Sequence, residues 1–164
     1  MRIVLYYSHL AEPVSVVNAP LIEEAKKLPN VQVRWLDSLY PSFRLTPEQI
    51  AAEQKIIEGA DAVFFQFPVH WFSCPAMLKS FIDSVFAYGW AYGTGEALRG
   101  KKYRVIMTTG GNSKSYSGEF TINDLAKPFI TSAKYCSMEP LPFHVIHSDS
   151  PSEGRVEKYL SLFK

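Results

Sequence analysis

The chain has 164 residues, of which 47% are hydrophobic, 14% aromatic and 20% charged, and its net charge is +1. This length suits a single domain over residues 1–164, and the balanced charge, with no basic run longer than Lys101-Lys102, argues against nucleic acid as the partner. Cys74 and Cys136 lack metal-ligand spacing, so we expect reduced thiols and no metal site. The N-terminus has the pattern of a strand and not of a signal peptide, so we expect a cytoplasmic location.

Segments with the composition of β-strands alternate with segments of helical periodicity. The predicted strands are Ile3–Tyr7, Val31–Leu36, Ala62–Phe67, Tyr103–Thr108 and Phe143–His147. The third and fourth are near-continuous apolar runs, which is typical of strands buried on both faces of a parallel sheet. The second alternates apolar and polar residues, as expected for a strand with a more exposed face.

The predicted helices lie between and after these strands, at Ser15–Leu28, Pro47–Glu58, Pro75–Phe86, Phe120–Cys136 and Gly154–Phe163. Thr46 is a suitable N-cap for the second helix, with Pro47 at its first position. We expect Pro128 to interrupt or restart the fourth helix, because proline lacks an N–H and clashes with the preceding turn.

This alternation predicts an α/β fold, a flavodoxin-like three-layer sandwich around a five-stranded parallel sheet with strand order 2-1-3-4-5. Ligands of such folds bind at the carboxyl ends of the strands, next to the point where the strand order reverses. The candidate ligand loops are therefore those after strands one, three and four, at residues 8–18, 67–75 and 108–118.

The loop after strand one combines His9 and the hydroxyl of Ser15 with a helix N-terminus. Hydrogen-bond donors at the positive end of a helix dipole suit a phosphate group. The alternative is an N-cap serine and a surface histidine, and the chain has no GxGxxG dinucleotide fingerprint.

The loop after strand three places Trp71 and Phe72 where a buried strand ends. Large apolar rings at a ligand-binding edge favour a flat aromatic ligand. A hydrophobic plug or a dimer contact is the alternative.

The loop after strand four contains Gly110-Gly111 and, five residues on, Tyr116. Paired glycines allow close approach of a ligand to the backbone, and the polar run is longer than a simple βα turn needs. A bare turn is the alternative.

Taken together, three stretches strongly resemble the NAD(P)H:quinone oxidoreductase family; they read FPVHWFSCPAMLKSFIDSVFAYGWAYG, GEALRGKK and VIMTTGG. That family includes the DT-diaphorase type, general stress reductases and ancillary reductases of glutathione-gated potassium efflux systems. The resemblance covers residues 1–138 and is weakest at residues 32–60.

The resemblance implies a non-covalent flavin held at the carboxyl edge of the sheet. Its cofactor-binding residues would be His9, Ser15, Val17 and Asn18 around the phosphate and ribityl chain, Pro68, Val69, His70, Trp71 and Phe72 around the ring system, and Thr108, Thr109, Gly110, Gly111 and Tyr116 at its pyrimidine side. FMN is favoured over FAD because the region that holds an adenine in longer members is short here.

The activity that the resemblance implies is two-electron, ping-pong hydride transfer from NADPH or NADH through the flavin to a quinone or similar acceptor. The candidate catalytic residues are Tyr116 and His70, although His70 stands where many relatives carry Gln. A histidine near the active site of the mammalian type has no counterpart here, because Ile122 stands in that region and has no proton to donate.

The resemblance also implies a homodimer with its active site at the interface. The candidate substrate pocket is then walled by Trp71, Phe72, Tyr88, Trp90 and Tyr92, the last three resembling the segment that reaches the partner's site. Two alternatives stay open: a regulatory partner of a membrane transport protein, and a flavodoxin-type single-electron carrier, against which the neutral charge speaks.

Overall fold

The computed structural model describes residues 1–10 and 15–164 of the protein. Residues 11–14, within the first predicted ligand loop, lie outside the described part. The strands are β1 (Ile3–Tyr7), β2 (Val31–Trp35), β3 (Ala62–Pro68), β4 (Lys102–Thr108), β5 (Glu139–Pro140) and β6 (His144–Ile146). The helices are α1 (Asn18–Lys26), α2 (Leu36–Leu39), α3 (Pro47–Glu58), α4 (Ala76–Val85), α5 (Ile122–Tyr135) and α6 (Arg155–Leu160), with short 3₁₀ turns at Ser113–Tyr116 and Ser161–Phe163.

The strands form one parallel sheet with the order β2-β1-β3-β4-β5, and β6 also pairs with β4. The predicted flavodoxin-like α/β fold and the 2-1-3-4-5 order are confirmed. The fifth position is filled by two short segments, because β5 pairs with the beginning of β4 and β6 with its end. The register shows the break: between the pairs Tyr103–Pro140 and Ile106–His144, β4 advances three residues and the outer segment four, so one extra residue interrupts the ladder.

The sheet is covered on both faces by apolar side chains that alternate along each strand. Val4 and Tyr6 of β1 enter the core beneath α3, α4 and α5, whereas Leu5 enters the core beneath α1 and α6. This alternation follows from the two-residue period of a strand and gives the three layers that the sequence predicts.

Helix α3 begins and ends at the predicted residues because its N-terminus is strongly specified. The Thr46 side chain accepts from the backbone N–H of Gln49, and the Gln49 side chain accepts from the backbone N–H of Thr46. This capping box satisfies two backbone donors that the first helical turn leaves unpaired.

The prediction that Pro128 interrupts a helix is wrong. Helix α5 continues through Pro128, which is on its exposed face. Water can therefore bond the carbonyl that the proline leaves unpaired.

A buried carboxylate stabilises the sheet against α3. Glu53 is fully buried and accepts hydrogen bonds from Tyr6 (2.9 Å), from Tyr40 and from the guanidinium of Arg34. Burial and the neighbouring Glu53 raise the pKa of Tyr40 to about 12, so its hydroxyl stays a donor.

The described part of the chain contains no helix long and apolar enough to cross a membrane. Among the same residues, no group of three or more His, Cys, Asp and Glu side chains is arranged to hold a metal ion.

Candidate functional site

The three candidate ligand loops begin at the same edge of the sheet because β1, β3 and β4 are parallel and aligned. Tyr7 of β1 is paired with Gln66 of β3, and Pro68 of β3 with Thr108 of β4. Beyond the strands, the Val69 N–H donates to the Thr108 carbonyl at 2.8 Å. The described residues of the loops are therefore neighbours, as the sequence predicts.

A tight turn at residues 70–73 displays the two aromatic rings. His70 and Ser73 exchange backbone hydrogen bonds of 3.0 and 2.9 Å, and Trp71 and Phe72 between them have φ values of 47° and 60°. Positive φ at both central residues is the pattern of a type I′ turn, which normally selects Asn and Gly. Trp71 is 94% exposed and Phe72 is 53% exposed.

This turn is costly for the residues that it contains. The left-handed region costs an L-residue about 1–2 kcal/mol, and such strain concentrates where it serves a function. Because the ring of Trp71 is exposed, its burial contributes almost no free energy that could offset this strain. The turn therefore has the features of a binding platform for a flat apolar ligand.

Two histidines and a carboxylate lie beside this platform. Asp37 Oδ2 accepts from Ser8 Oγ at 2.8 Å and from the His9 N–H at 3.0 Å, and the rings of His9 and His70 are 6.3 Å apart. Within the described residues, Asp37 Oδ1 and His70 Nδ1 are buried without a hydrogen-bond partner. Burial and the nearby His9 lower the pKa of His70, so this side chain is neutral at pH 7.

The start of α1 presents a cluster of hydroxyl and amide groups. The backbone N–H of Asn18 donates to Ser15 Oγ at 2.9 Å, and the Asn18 side chain donates to Thr108 Oγ1 at 2.8 Å. Ser15, Asn18 and Thr108 are thus brought together, whereas Val17 packs against the core beneath α1 and α6.

The glycine loop is held against Tyr116 and a histidine that the sequence analysis did not select. Thr109 Oγ1 lies 2.8 Å from the Gly111 carbonyl and 2.9 Å from His147 Nδ1, and the rings of Tyr116 and His147 are 5.4 Å apart. A Cβ added at Gly111 would lie 3.3 Å from the Tyr116 ring, so a bulkier residue there would move it. At Gly110 the space is open.

Three backbone N–H groups at the site are already paired within the protein. The N–H of Val69 is bound to Thr108, that of His70 to Ser73, and that of Thr109 to Ile146. The amides of Trp71, Phe72, Gly110 and Gly111 have no such backbone partner within the described residues.

Within one chain, three residues of the predicted pocket lie at the amino ends of the strands, opposite the candidate site; these are Tyr88, Trp90 and Tyr92. Helix α4 begins near the site and runs away from it. Beyond its end, the indole N–H of Trp90 donates to Oε1 of Glu58 at 2.8 Å, and Glu58 is the last residue of α3, shortly before β3 begins. A single chain therefore does not bring these residues to Trp71 and Phe72. The predicted pocket requires a second copy of the chain and stays a prediction.

His147, Gln66 and Tyr159 were missed because their role depends on tertiary contacts. Gln66 Nε2 donates to Asn18 Oδ1 at 3.0 Å, and the Tyr159 hydroxyl donates to Gln66 Oε1 at 2.7 Å. The one available signal was a polar residue, Gln66, inside an otherwise apolar buried strand.

Comparison with known proteins gives consistent matches along the whole chain. A family model described as flavodoxin-like fold matches residues 1–162. The glutathione-regulated potassium-efflux system ancillary protein KefF of Enterobacter sp. (strain 638) is 38% identical over 148 residues, which are 88% of this chain and 82% of that protein.

Solved structures agree with this match. The general stress protein 14 of Treponema denticola, solved in complex with FMN, is 30% identical with a TM-score of 0.88, covering 99% of this chain and 97% of that one. An NADPH-quinone reductase from P. pentosaceus is 24% identical with a TM-score of 0.84, covering 99% and 95%, and shows the fold alone.

Proposed function

The chain belongs to the flavodoxin-like family of the NAD(P)H:quinone oxidoreductases, and on that premise we propose that it is an FMN-dependent reductase that passes two electrons from NAD(P)H to a quinone or similar acceptor. The observation that carries the proposal is the strained turn that presents Trp71 and Phe72 beside polar groups of two neighbouring loops. The FMN-bound stress protein supports FMN over FAD.

The residues at the carboxyl edge fit FMN. Ser15 and His9 would contact the phosphate, the turn at residues 70–73 would support one face of the ring system, and the Gly110 and Gly111 amides would donate to its pyrimidine side. The open space at Gly110 leaves room for close approach. The buried Nδ1 of His70, which has no partner among the described residues, is a further polar group for the ligand.

When bound, FMN supplies the two-electron redox chemistry, and the chain positions and tunes it. Trp71 and Phe72 would exclude water from the face of the ring that they support. The amides of Gly110 and Gly111 are fixed dipoles that stabilise negative charge without reorganising. The Tyr116 hydroxyl, held next to Gly111, donates a hydrogen bond to that charge or to the acceptor.

The absorbance spectrum of the purified protein tests the proposal. We expect a yellow protein that NADPH bleaches under anaerobic conditions and menadione recolours, with one menadione consumed per NADPH. Acid release of the flavin then distinguishes FMN from FAD. A colourless protein that binds neither flavin refutes the proposal, and repeating the titration with NADH decides which nicotinamide is preferred.

A homodimer is part of this proposal. Trp71 is 94% exposed, Tyr88 68% and Tyr135 70%, and a second copy would cover such rings. We expect sedimentation to give a dimer, and Tyr88→Asp to give a monomer that binds FMN but reduces menadione more slowly. A monomeric wild-type protein with full activity contradicts the shared pocket.

A second candidate function is regulation of a potassium efflux system, which the 38% identity to an ancillary protein favours. The test is potassium efflux from proteoliposomes that hold a glutathione-gated transporter, with and without this chain. Stimulation that persists in Trp71→Ala would indicate a regulatory role separate from reduction. If the chain does not stimulate efflux, the regulatory role is contradicted and the reductase function remains.

An electron carrier that takes up electrons one at a time is the remaining alternative. The near-zero net charge argues against docking to a carrier's partner by a strong field. A redox titration with two well-separated one-electron waves would favour the carrier.

A further inference from the structure

A line of buried polar side chains connects the last helix to the start of α1. The Tyr159 hydroxyl on α6 is 2.7 Å from Gln66 Oε1 at the end of β3, and Gln66 Nε2 is 3.0 Å from Asn18 Oδ1. None of the three side chains is more than 1% exposed. The line runs along the face of the sheet that α1 and α6 cover and ends at Ser15 and Thr108.

The direction of every hydrogen bond in this line is fixed from the Tyr159 end. A buried tyrosine hydroxyl needs an acceptor for its hydrogen, and Gln66 Oε1 is the one that the structure provides. The Gln66 amide nitrogen therefore faces Asn18 and donates to its carbonyl oxygen. The Asn18 side-chain nitrogen must then face the other way, towards Ser15 Oγ at 3.3 Å and Thr108 Oγ1 at 2.8 Å.

The bonds from Asn18 leave the Ser15 hydroxyl able only to donate a hydrogen bond. Its oxygen accepts from the Asn18 backbone N–H at 2.9 Å and from the Asn18 side chain at 3.3 Å. Because a serine hydroxyl has two lone pairs and one hydrogen, these bonds occupy its acceptor capacity and leave the hydrogen to be donated. A hydroxyl that can only donate favours an anion over a neutral or donating group.

Building on the proposed FMN function, we propose that Gln66 and Tyr159 are positioning residues which fix Ser15 as a hydrogen-bond donor to the FMN phosphate. The docking of α6 against β3 thereby sets the affinity for the phosphate. Neither residue touches the ligand, and both act through Asn18.

The test compares two ligands that differ only in the phosphate. The apoprotein is titrated with FMN and with riboflavin, and flavin fluorescence gives both dissociation constants. In Tyr159→Phe the aromatic packing against Phe163 is kept and the hydroxyl is lost. We expect the FMN constant to rise about tenfold, the usual size of one hydrogen-bond effect, and the riboflavin constant to change less than about twofold.

A matched control is Tyr103→Phe, which removes a hydroxyl from an equally buried tyrosine in the other core. We expect it to leave the ratio of the two constants unchanged. Gln66→Met breaks the line at its centre and repeats the test if Tyr159→Phe does not fold; urea unfolding of each apoprotein checks this.

The outcomes separate this inference from the function on which it rests. Equal weakening of both flavins in Tyr159→Phe and Gln66→Met indicates a merely structural role and overturns the inference, as does an unchanged ratio. Wild-type protein that binds FMN no better than riboflavin overturns it as well. Wild-type protein that binds neither flavin overturns the inference and the proposed function together.

Discussion

Replacing Trp71 with Asn separates the strain of the turn from its function. Asn tolerates the left-handed region at the first central position of a type I′ turn, where Trp71 has a φ of 47°. The strain relieved is about 1–2 kcal/mol. Because Trp71 is 94% exposed, losing the indole removes almost no burial. We therefore expect the Trp71→Asn apoprotein to be about 1 kcal/mol more stable, a rise in Tm of roughly 2–4 °C for a chain of this size.

The matched variant is Trp71→Ala, which also removes the indole but keeps a residue that dislikes positive φ. Urea unfolding of the apoproteins should place Trp71→Asn above Trp71→Ala by about 1 kcal/mol. Both variants lose the ring platform, so both should bind FMN about 3- to 10-fold more weakly, as expected when an aromatic contact is removed.

Two results would refute this reasoning. Equal urea midpoints for the Asn and Ala variants would mean that the turn is not strained at Trp71. Unchanged FMN affinity and menadione reduction in both would mean that the exposed indole is not part of the binding surface.

Tyr116→Phe should lower menadione turnover about tenfold while FMN stays bound, since one donated hydrogen bond is lost; unchanged turnover removes Tyr116 from the mechanism. Glu53→Gln should lower the free energy of unfolding by about 3 kcal/mol in urea, because the partly buried Arg34 loses its counter-ion, and a loss below about 1 kcal/mol would show that the pair is dispensable. The lowered pKa of His70 means that the unfolded chain binds more protons, so stability should be lost as the pH falls below about 6.5; His70→Gln should flatten this dependence, and an unaltered slope would contradict the assignment.

The central strands were predictable because each carries its own signal. Strands β1, β3 and β4 are continuous or near-continuous apolar runs, as burial on both faces requires, and their bounds agree with the predicted ones to within one residue. Helix α3 agrees at both ends because Thr46, Pro47 and Gln49 specify its start locally. Helix α2 was missed since four residues are too few to show a helical period.

The location of the candidate site could be predicted from the sequence, but the contacts between its residues could not. Parallel strands bring their carboxyl ends to one edge, so the three loops could be chosen from topology. The hydrogen bond between Gln66 and Tyr159 joins residues 93 positions apart, and no local pattern anticipates it. The left-handed turn at Trp71 and Phe72 was also hidden, because its residues contradict the usual preference for Asn and Gly.

The split fifth position of the sheet has a consequence for self-association. An outer strand normally offers unpaired N–H groups to which a strand of another molecule can add, and this leads to aggregation. Here Pro140 and Pro142 remove such donors from the outer edge, and the ladder is broken between β5 and β6. This edge is therefore a poor template for a strand of a second copy, so the proposed dimer would pack through side-chain surfaces such as the exposed tyrosines.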